Sequence, residues 1–137
     1  MKVGLFNGCF DCFHDGHLHA LEEAGRQCDY LVVAVNTDES VRRLKGDTRP
    51  KDTLYLRMLH VEQHKLVNAV IPFDGVLDAL IMAIKPQIVF VGYDHRAPIK
   101  LAWYAKGWKE GGNQAGFADV IQLSHLPGFS TTSKLNA

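Results

Sequence analysis

Ten residues near the N-terminus hold most of the chemistry this chain offers: Gly8-Cys9-Phe10-Asp11-Cys12-Phe13-His14-Asp15-Gly16-His17. They follow a short apolar run, Val3–Phe6, and lead into a helical pattern over His17–Gln27. Gly8 and Gly16 allow close backbone approach. The first turn of a helix presents N–H groups with no acceptor inside the helix, which makes it an anion site. The imidazoles of His14 and His17 add hydrogen-bond donors for a phosphate without requiring a fixed positive charge. A turn histidine beside a capping histidine is the competing reading. The His-x-Gly-His spacing directly after a strand and a glycine turn favours phosphate.

The same run carries Cys9-x-x-Cys12, which invites a metal or redox reading. Four ligands within the nine residues from Cys9 to His17 leave little chain to close a tetrahedron. A redox pair sits at a helix N-terminus, and Cys9 lies well before it. Both thiols are therefore expected to be reduced and partly packed, and no metal is expected to be held by direct side-chain ligation. Cys28 reads as a small buried hydrophobe.

Two further segments belong to the same chemistry. Asn36–Pro50 reads as a loop carrying four cations within eight residues, Arg42, Arg43, Lys45 and Arg49. Opposite an anion site they are expected to form a mobile clamp rather than a solvated face, with Lys45 a point charge on phosphate oxygens. Arg57, further along, either faces the same pocket or is an ordinary surface helix residue. Near the C-terminus, Gly128-Phe129-Ser130-Thr131-Thr132-Ser133-Lys134 sets successive hydroxyls at the start of a short helix. Capping alone would account for Ser130 or Thr131; a second helix N-terminus would also complete a triphosphate cradle. Asp94, in Gly92-Tyr93-Asp94-His95, would order the site or hold a ribose. Trp103, Tyr104 and Trp108 read as packing of a helix on a sheet rather than as base stacking.

The elements that position these residues alternate. Val3–Phe6, Tyr30–Val35, Ala69–Pro72, Gln87–Val91 and Asp119–Leu123 read as strands, several of them apolar throughout, as strands covered on both faces should be. Between them lie helical patterns at His17–Gln27, Thr53–Leu66, Gly75–Ile84 and Lys100–Trp108. This alternation predicts an α/β three-layer domain with a mostly parallel five-stranded sheet and right-handed crossovers. Ligands of such sheets bind beyond the carboxyl ends of the strands. The segments singled out above fall there.

Composition sets the outer bounds. The 137 residues suit one domain, 1–137, with a single core. Hydrophobic residues at 47% and charged residues at 22% exclude a disordered chain. Fifteen Lys+Arg balance fifteen Asp+Glu, and this zero net charge argues against nucleic acid and anionic membrane as partners. No apolar run reaches the roughly 20 residues of a transmembrane helix. Met1–Phe6 meets polar Asn7 too early for a signal peptide. Three cysteines, an odd number, make no disulfide framework, so a cytoplasmic location is expected.

On these motifs the chain resembles the cytidylyltransferase-like nucleotidyltransferases. The match is Gly8-x-Phe10-Asp11-x-x-His14-x-Gly16-His17, with Gly128-x-Ser130-Thr131-Thr132 as second signature. Within that superfamily it is similar to the adenylyltransferase domain of the ADP-heptose synthases, which act on heptose 1-phosphate. That similarity rests on Val33-Ala34-Val35-Asn36-Thr37-Asp38, on Arg43-Leu44-Lys45-Gly46-Asp47-Thr48-Arg49-Pro50, and on Arg57. Glycerol-3-phosphate cytidylyltransferases share the first and last motifs but not the middle run. The resemblance extends from Val3 to about Lys134.

The resemblance implies a Rossmann-like fold and transfer of NMP from an NTP to a phosphorylated sugar or polyol, with release of pyrophosphate. It implies ATP in preference to CTP, Mg²⁺ accompanying the NTP, and a homodimer. Carried over by position, His14, His17 and Lys45 form the catalytic set, the histidines steadying the α-phosphate and Lys45 holding phosphates. Nucleotide is bound by these three together with Cys9, Phe10, Gly16, Asp94, Gly128, Ser130, Thr131 and Thr132. Asp11, Asp38, Arg42 and Arg57 form the substrate-binding set.

Some positions depart from the pattern. Asn68 stands where relatives often have Asp, His125 where cytidylyltransferases carry Arg, and Gly92-Tyr93-Asp94 replaces a Lys-Gly-Gly-Asp run. These bear on the acceptor and the base rather than on the reaction class. Two alternatives follow: a CTP-using enzyme like glycerol-3-phosphate cytidylyltransferase, and a non-catalytic nucleotide-binding regulatory subunit, which Asn68 favours.

Overall fold

Strand and helix alternate as the apolar runs require. The computed structural model of the chain describes residues 1–92 and 118–124. Five strands, β1 Val3–Gly8, β2 Tyr30–Asn36, β3 Ala69–Phe73, β4 Ile88–Val91 and β5 Asp119–Gln122, form one sheet in the order β3-β2-β1-β4-β5. Every neighbouring pair is parallel, with Gly4 facing Leu31 on one side and Ile88 on the other. The chain winds outward from β1 to β3, then crosses back to β4. The strand order therefore reverses between β1 and β4, where a ligand crevice opens in folds of this kind.

Helices cover both faces: α1 Asp15–Gly25, α2 Asp38–Lys45, α3 Leu54–Glu62 and α4 Leu77–Ile84. One core layer packs Phe6, Leu21, Ala24, Val33, Val35, Val61 and Phe90, which come from the sheet, α1 and α3. The other packs Leu5, Val32, Ala34, Phe73, Ile81, Val89 and Val91, from the sheet and α4. The continuous apolar character of β2 and β4 follows from this double burial.

Three differences from the sequence reading have physical causes. The first is α2, which occupies part of the segment read as a loop. Only Val41 and Leu44 are apolar in it, so no hydrophobic period marks it. Its stability comes from its ends: the Thr37 side chain accepts from Ser40 N at 3.2 Å, Asp38 and Glu39 lie in the first turn, and Arg42, Arg43 and Lys45 lie in the last. Second, α1 starts at Asp15, two residues before His17, because His14 caps it. Third, α3 stops at Glu62, short of Leu66, where His64 Nδ1 accepts from Leu66 N at 3.1 Å and turns the chain. The helical pattern at 100–108 lies outside the described residues. No described helix is long and apolar enough to cross a membrane.

Candidate active site

At the carboxyl end of β1 the chain turns through a compact loop. Phe10 and Cys12 both adopt left-handed backbone, with φ of 54° and 51°, a conformation costly for residues with a side chain. Phe10 is buried and meets Phe6 edge-on at 5.4 Å. A Cβ on Gly8 would lie 3.0 Å from the Phe10 ring, so glycine there lets the ring fold back over the strand end. Strain in the loop is held in place by this packing and by the hydrogen bonds described next.

His14 and His17 cap α1 reciprocally. His14 Nδ1 accepts from Gly16 N at 3.0 Å, and His17 Nδ1 accepts from His14 N at 3.1 Å. This is a capping box in which both side-chain acceptors are imidazoles. A neutral imidazole accepts at one nitrogen and donates at the other, so the hydrogen of each ring is placed on Nε2. The rings stack at 4.0 Å, and Phe13 stacks on His17 at 5.1 Å. The pair is thus fixed in tautomer by the backbone and in orientation by its neighbours. Gly16 serves as a donor inside this turn.

Two buried charges tie this loop to the rest of the site. Asp11, 1% exposed, accepts from Arg49 Nε and Lys51 N, both at 2.8 Å, from Asp52 N at 2.9 Å and from Cys12 N at 3.1 Å. Burial alone would raise its pKa; the backbone donors and Arg49 outweigh burial and hold the carboxyl below its ordinary range. Arg57 is 0% exposed. It donates through Nε to Asp52 O at 2.9 Å, through Nη1 to Cys9 O at 2.8 Å and Asn36 O at 2.6 Å, and through Nη2 to Asp38 Oδ1 at 2.6 Å. One guanidinium therefore joins the ends of β1 and β2 to the residue before the Thr53 cap. Arg57 is no surface helix residue. Asp11, Asp38 and Arg57, expected on the substrate side, bond to one another's loops and set the shape of the site.

The expected clamp divides. Arg42, Arg43 and Lys45 stand on a helix rather than a loop. Arg43 pairs with Glu39 at 3.1 Å and donates to Asp74 O at 2.7 Å, and Arg49 is held by Asp11. Arg42 and Lys45 are exposed at the last turn of α2. Lys45 nonetheless acts on the strand-end loop: burial pushes the Cys9 thiol above its ordinary value, while the charges of Lys45, Arg57 and Arg49 pull it down without fully offsetting burial. Two cations are bonded to the loop that precedes His14, Arg57 at Cys9 O and Arg49 at Asp11.

The thiols fit no nucleophile or metal role here. With its pKa raised, Cys9 is protonated at neutral pH, and the thiol is far less nucleophilic than the thiolate. Iodoacetamide is expected to label Cys9 slowly at pH 7 and faster as pH rises past the ordinary thiol range; fast labelling at pH 7 would contradict the burial argument. Replacing both Cys9 and Cys12 by serine is expected to keep activity within about tenfold, since no chemistry is assigned to either sulfur. The carboxylates of Asp11 and Asp52 and the Cys12 sulfur lie within 4.8 Å of one another. Asp11 already accepts four hydrogen bonds, so this donor set does not suit a cation.

Asn68 lies elsewhere. Its Oδ1 accepts from Leu31 N at 2.8 Å and its N–H donates to Leu31 O at 2.9 Å, at the start of β2 and the edge of the sheet opposite the site. Its departure from the family pattern does not touch the histidines. Asp94, Gly128, Ser130, Thr131 and Thr132 lie outside the described residues. The sequence does not announce the pairing of Arg49 with Asp11, the helical nature of α2 or the Asn36–Ser40 hydrogen bond at 3.0 Å that anchors it. The Thr37 cap and the acid-first, base-last order of α2 were the available signals.

With the geometry in place, comparison with known proteins is direct. The chain is 42% identical over 132 residues to the bifunctional protein HldE of Hydrogenovibrio crunogenus, covering 96% of this chain and 26% of that one. It is 39% identical over 137 residues to HldE of Sodalis glossinidius, covering 99% and 27%. The chain thus spans about a quarter of the length of these curated relatives. The crystal structure of a lipopolysaccharide core biosynthesis protein from Thermoplasma volcanium superposes with a TM-score of 0.75 at 27% identity, over 92% of this chain and 98% of that one. A pantothenate synthetase from Thermus thermophilus shares the fold, with a TM-score of 0.66 at 15% identity over 100% of this chain and 65% of that one. The profile of the Cytidylyltransferase-like family matches residues 5–133, so the chain, whose paired histidines cap a helix at the reversal point of a parallel sheet, belongs to that family.

Proposed function

We propose that this chain transfers NMP from an NTP, ATP in preference to CTP, to a phosphorylated sugar of the heptose 1-phosphate type, releasing pyrophosphate. The observation that carries the reading is the reciprocal His14–His17 cap, which fixes two Nε2–H donors beside a helix N-terminus. A phosphate oxygen of the acceptor attacks the α-phosphorus of the NTP. The bond from that phosphorus to the bridging oxygen breaks, and its electron pair leaves with pyrophosphate. Attack of one anion on another meets repulsion, so donors and cations that neutralise oxygens and align the two groups do most of the catalysis. His14 and His17 donate to the α-phosphate oxygens as charge builds on them. Lys45 supplies a point charge from α2, and Arg42 stands beside it for the acceptor. Cys9 and Phe10 offer backbone to the nucleotide. When bound with the NTP, Mg²⁺ supplies further charge on the phosphates. No nucleophile paired with a base is needed, and the protonated Cys9 thiol does not provide one.

The heptose-type acceptor is supported by the run Arg43–Pro50 and by likeness to a lipopolysaccharide core biosynthesis protein. A homodimer and a cytoplasmic setting complete the proposal. The reading as a regulatory subunit loses its support, since Asn68 sits at the opposite edge of the sheet.

Pyrophosphate release with ATP and CTP, each against heptose 1-phosphate and glycerol 3-phosphate, tests this. ATP with the sugar phosphate is expected to give the highest kcat/KM. The margin over CTP is about tenfold to a hundredfold, the size of one buried polar group left unpaired by the wrong base. Preference for CTP with the polyol phosphate would replace this reading with the cytidylyltransferase one. NTP binding without release from any pair would remove transfer altogether.

A further inference from the structure

We propose that Arg49 is a ligand for a substrate phosphate, a role separate from its pairing with Asp11. One edge of its guanidinium is fixed: Nε donates to Asp11 Oδ2 at 2.8 Å, with the Arg49 side chain 10% exposed and that of Asp11 0%. Asp11 is itself held by the backbone N–H groups of Lys51 and Asp52, so the plane of the guanidinium is set. Its Nη2 is enclosed and has no hydrogen-bond partner among the described residues. An enclosed charged donor without an acceptor is unfavourable until an acceptor arrives.

Its place identifies that acceptor. Its partner Asp11 lies in the loop leading to His14, and Arg57 donates to Cys9 O in the same loop at 2.8 Å, which puts Arg49 beside the turn that would meet a phosphate. Arg57 is committed to four protein acceptors, whereas Arg49 keeps a donor in reserve. A planar guanidinium anchored through Nε and unpaired at Nη2 matches a phosphate oxyanion better than a point charge does. The preceding Gly46, Asp47 and Thr48 are exposed, and no described residue lies within 4 Å of where a Gly46 Cβ would be, so the segment has room to adjust as the oxyanion comes in. The proposal deepens the nucleotidyl-transfer reading and rests on it for the identity of the anion, which is either the nucleotide triphosphate or the acceptor's phosphate ester.

Calorimetric titration of Arg49→Gln and Arg49→Lys with inorganic tripolyphosphate, ATP and glycerol 3-phosphate tests it, with thermal unfolding of each variant alongside. Arg49→Gln is expected to weaken at least one of these ligands by about tenfold or more. Arg49→Lys retains a cation for Asp11, and with it stability, but one ammonium cannot serve Asp11 and the ligand as the fork does, so affinity falls again. If the glutamine variant does not fold, the lysine variant decides. Loss confined to tripolyphosphate and ATP places Arg49 on the triphosphate; loss confined to glycerol 3-phosphate places it on the acceptor. Wild-type affinity of Arg49→Lys for all three, or no binding of any of them by the wild type, overturns the assignment. Pyrophosphate release by the wild type keeps the two readings apart. Weakened binding in the variants without release in the wild type sinks transfer and keeps the ligand; release with unchanged binding does the reverse.

Discussion

Alanine at position 17 is expected to lower turnover at saturating substrates by at least about 100-fold, the usual consequence of losing one oriented donor to a developing oxyanion. His17 does two things in the structure. Its Nδ1 accepts from His14 N at 3.1 Å, which in the neutral ring leaves Nε2 to carry the donor hydrogen. Alanine removes both, but the costs are unequal. Loss of half a capping box destabilises by about 1 kcal/mol, small beside the 5–15 kcal/mol typical of a domain. His14 still accepts from Gly16 N, so α1 keeps its cap. Thermal unfolding is therefore expected to shift by a few degrees and NTP binding to change little, while kcat falls. Turnover within about threefold of wild type would leave His17 a structural cap and nothing more.

Replacement of Arg57 by methionine is expected to act on stability first. The substitution fills much of the volume but strands the carbonyls of Cys9, Asn36 and Asp52, each bonded to the guanidinium at 2.6–2.9 Å. Asp38, whose side chain is 38% exposed, can turn to water, so its share is discounted for solvent. Removing one partner of a buried charge network typically costs about 3–5 kcal/mol, a large part of the stability of a domain this size. Urea unfolding should show a much lower midpoint with an unchanged slope. Lysine is not expected to rescue it, since one ammonium cannot span four acceptors on three segments. A loss under about 1 kcal/mol would show that the loops find other partners.

The sheet was legible because its strands are buried on both faces: Val32–Val35 and Ile88–Val91 are apolar without interruption, and burial of that kind leaves a strong mark in the chain. The turn from Gly8 to His17 stood out for a different reason, its concentration of glycine and histidine directly after an apolar run. Helix α2 was not. Its order comes from a threonine cap and from charges at its two ends, which act through the helix dipole and leave no hydrophobic period. Arg57 was underread because a lone arginine at a helical position resembles a solvated one; only the fold shows that the ends of β1 and β2 close around it. The same limit applies to Asp11, three of whose four donors lie 38 to 41 residues away in sequence.

Phosphorus NMR of the wild-type protein with ATP, Mg²⁺ and heptose 1-phosphate is the most direct measurement of nucleotidyl transfer. A new pair of coupled diphosphate resonances, growing in step with inorganic pyrophosphate one for one, is the expected result. Conversion of ATP to ADP and phosphate, or an ATP spectrum broadened by binding but unchanged over time with every acceptor tried, would contradict it.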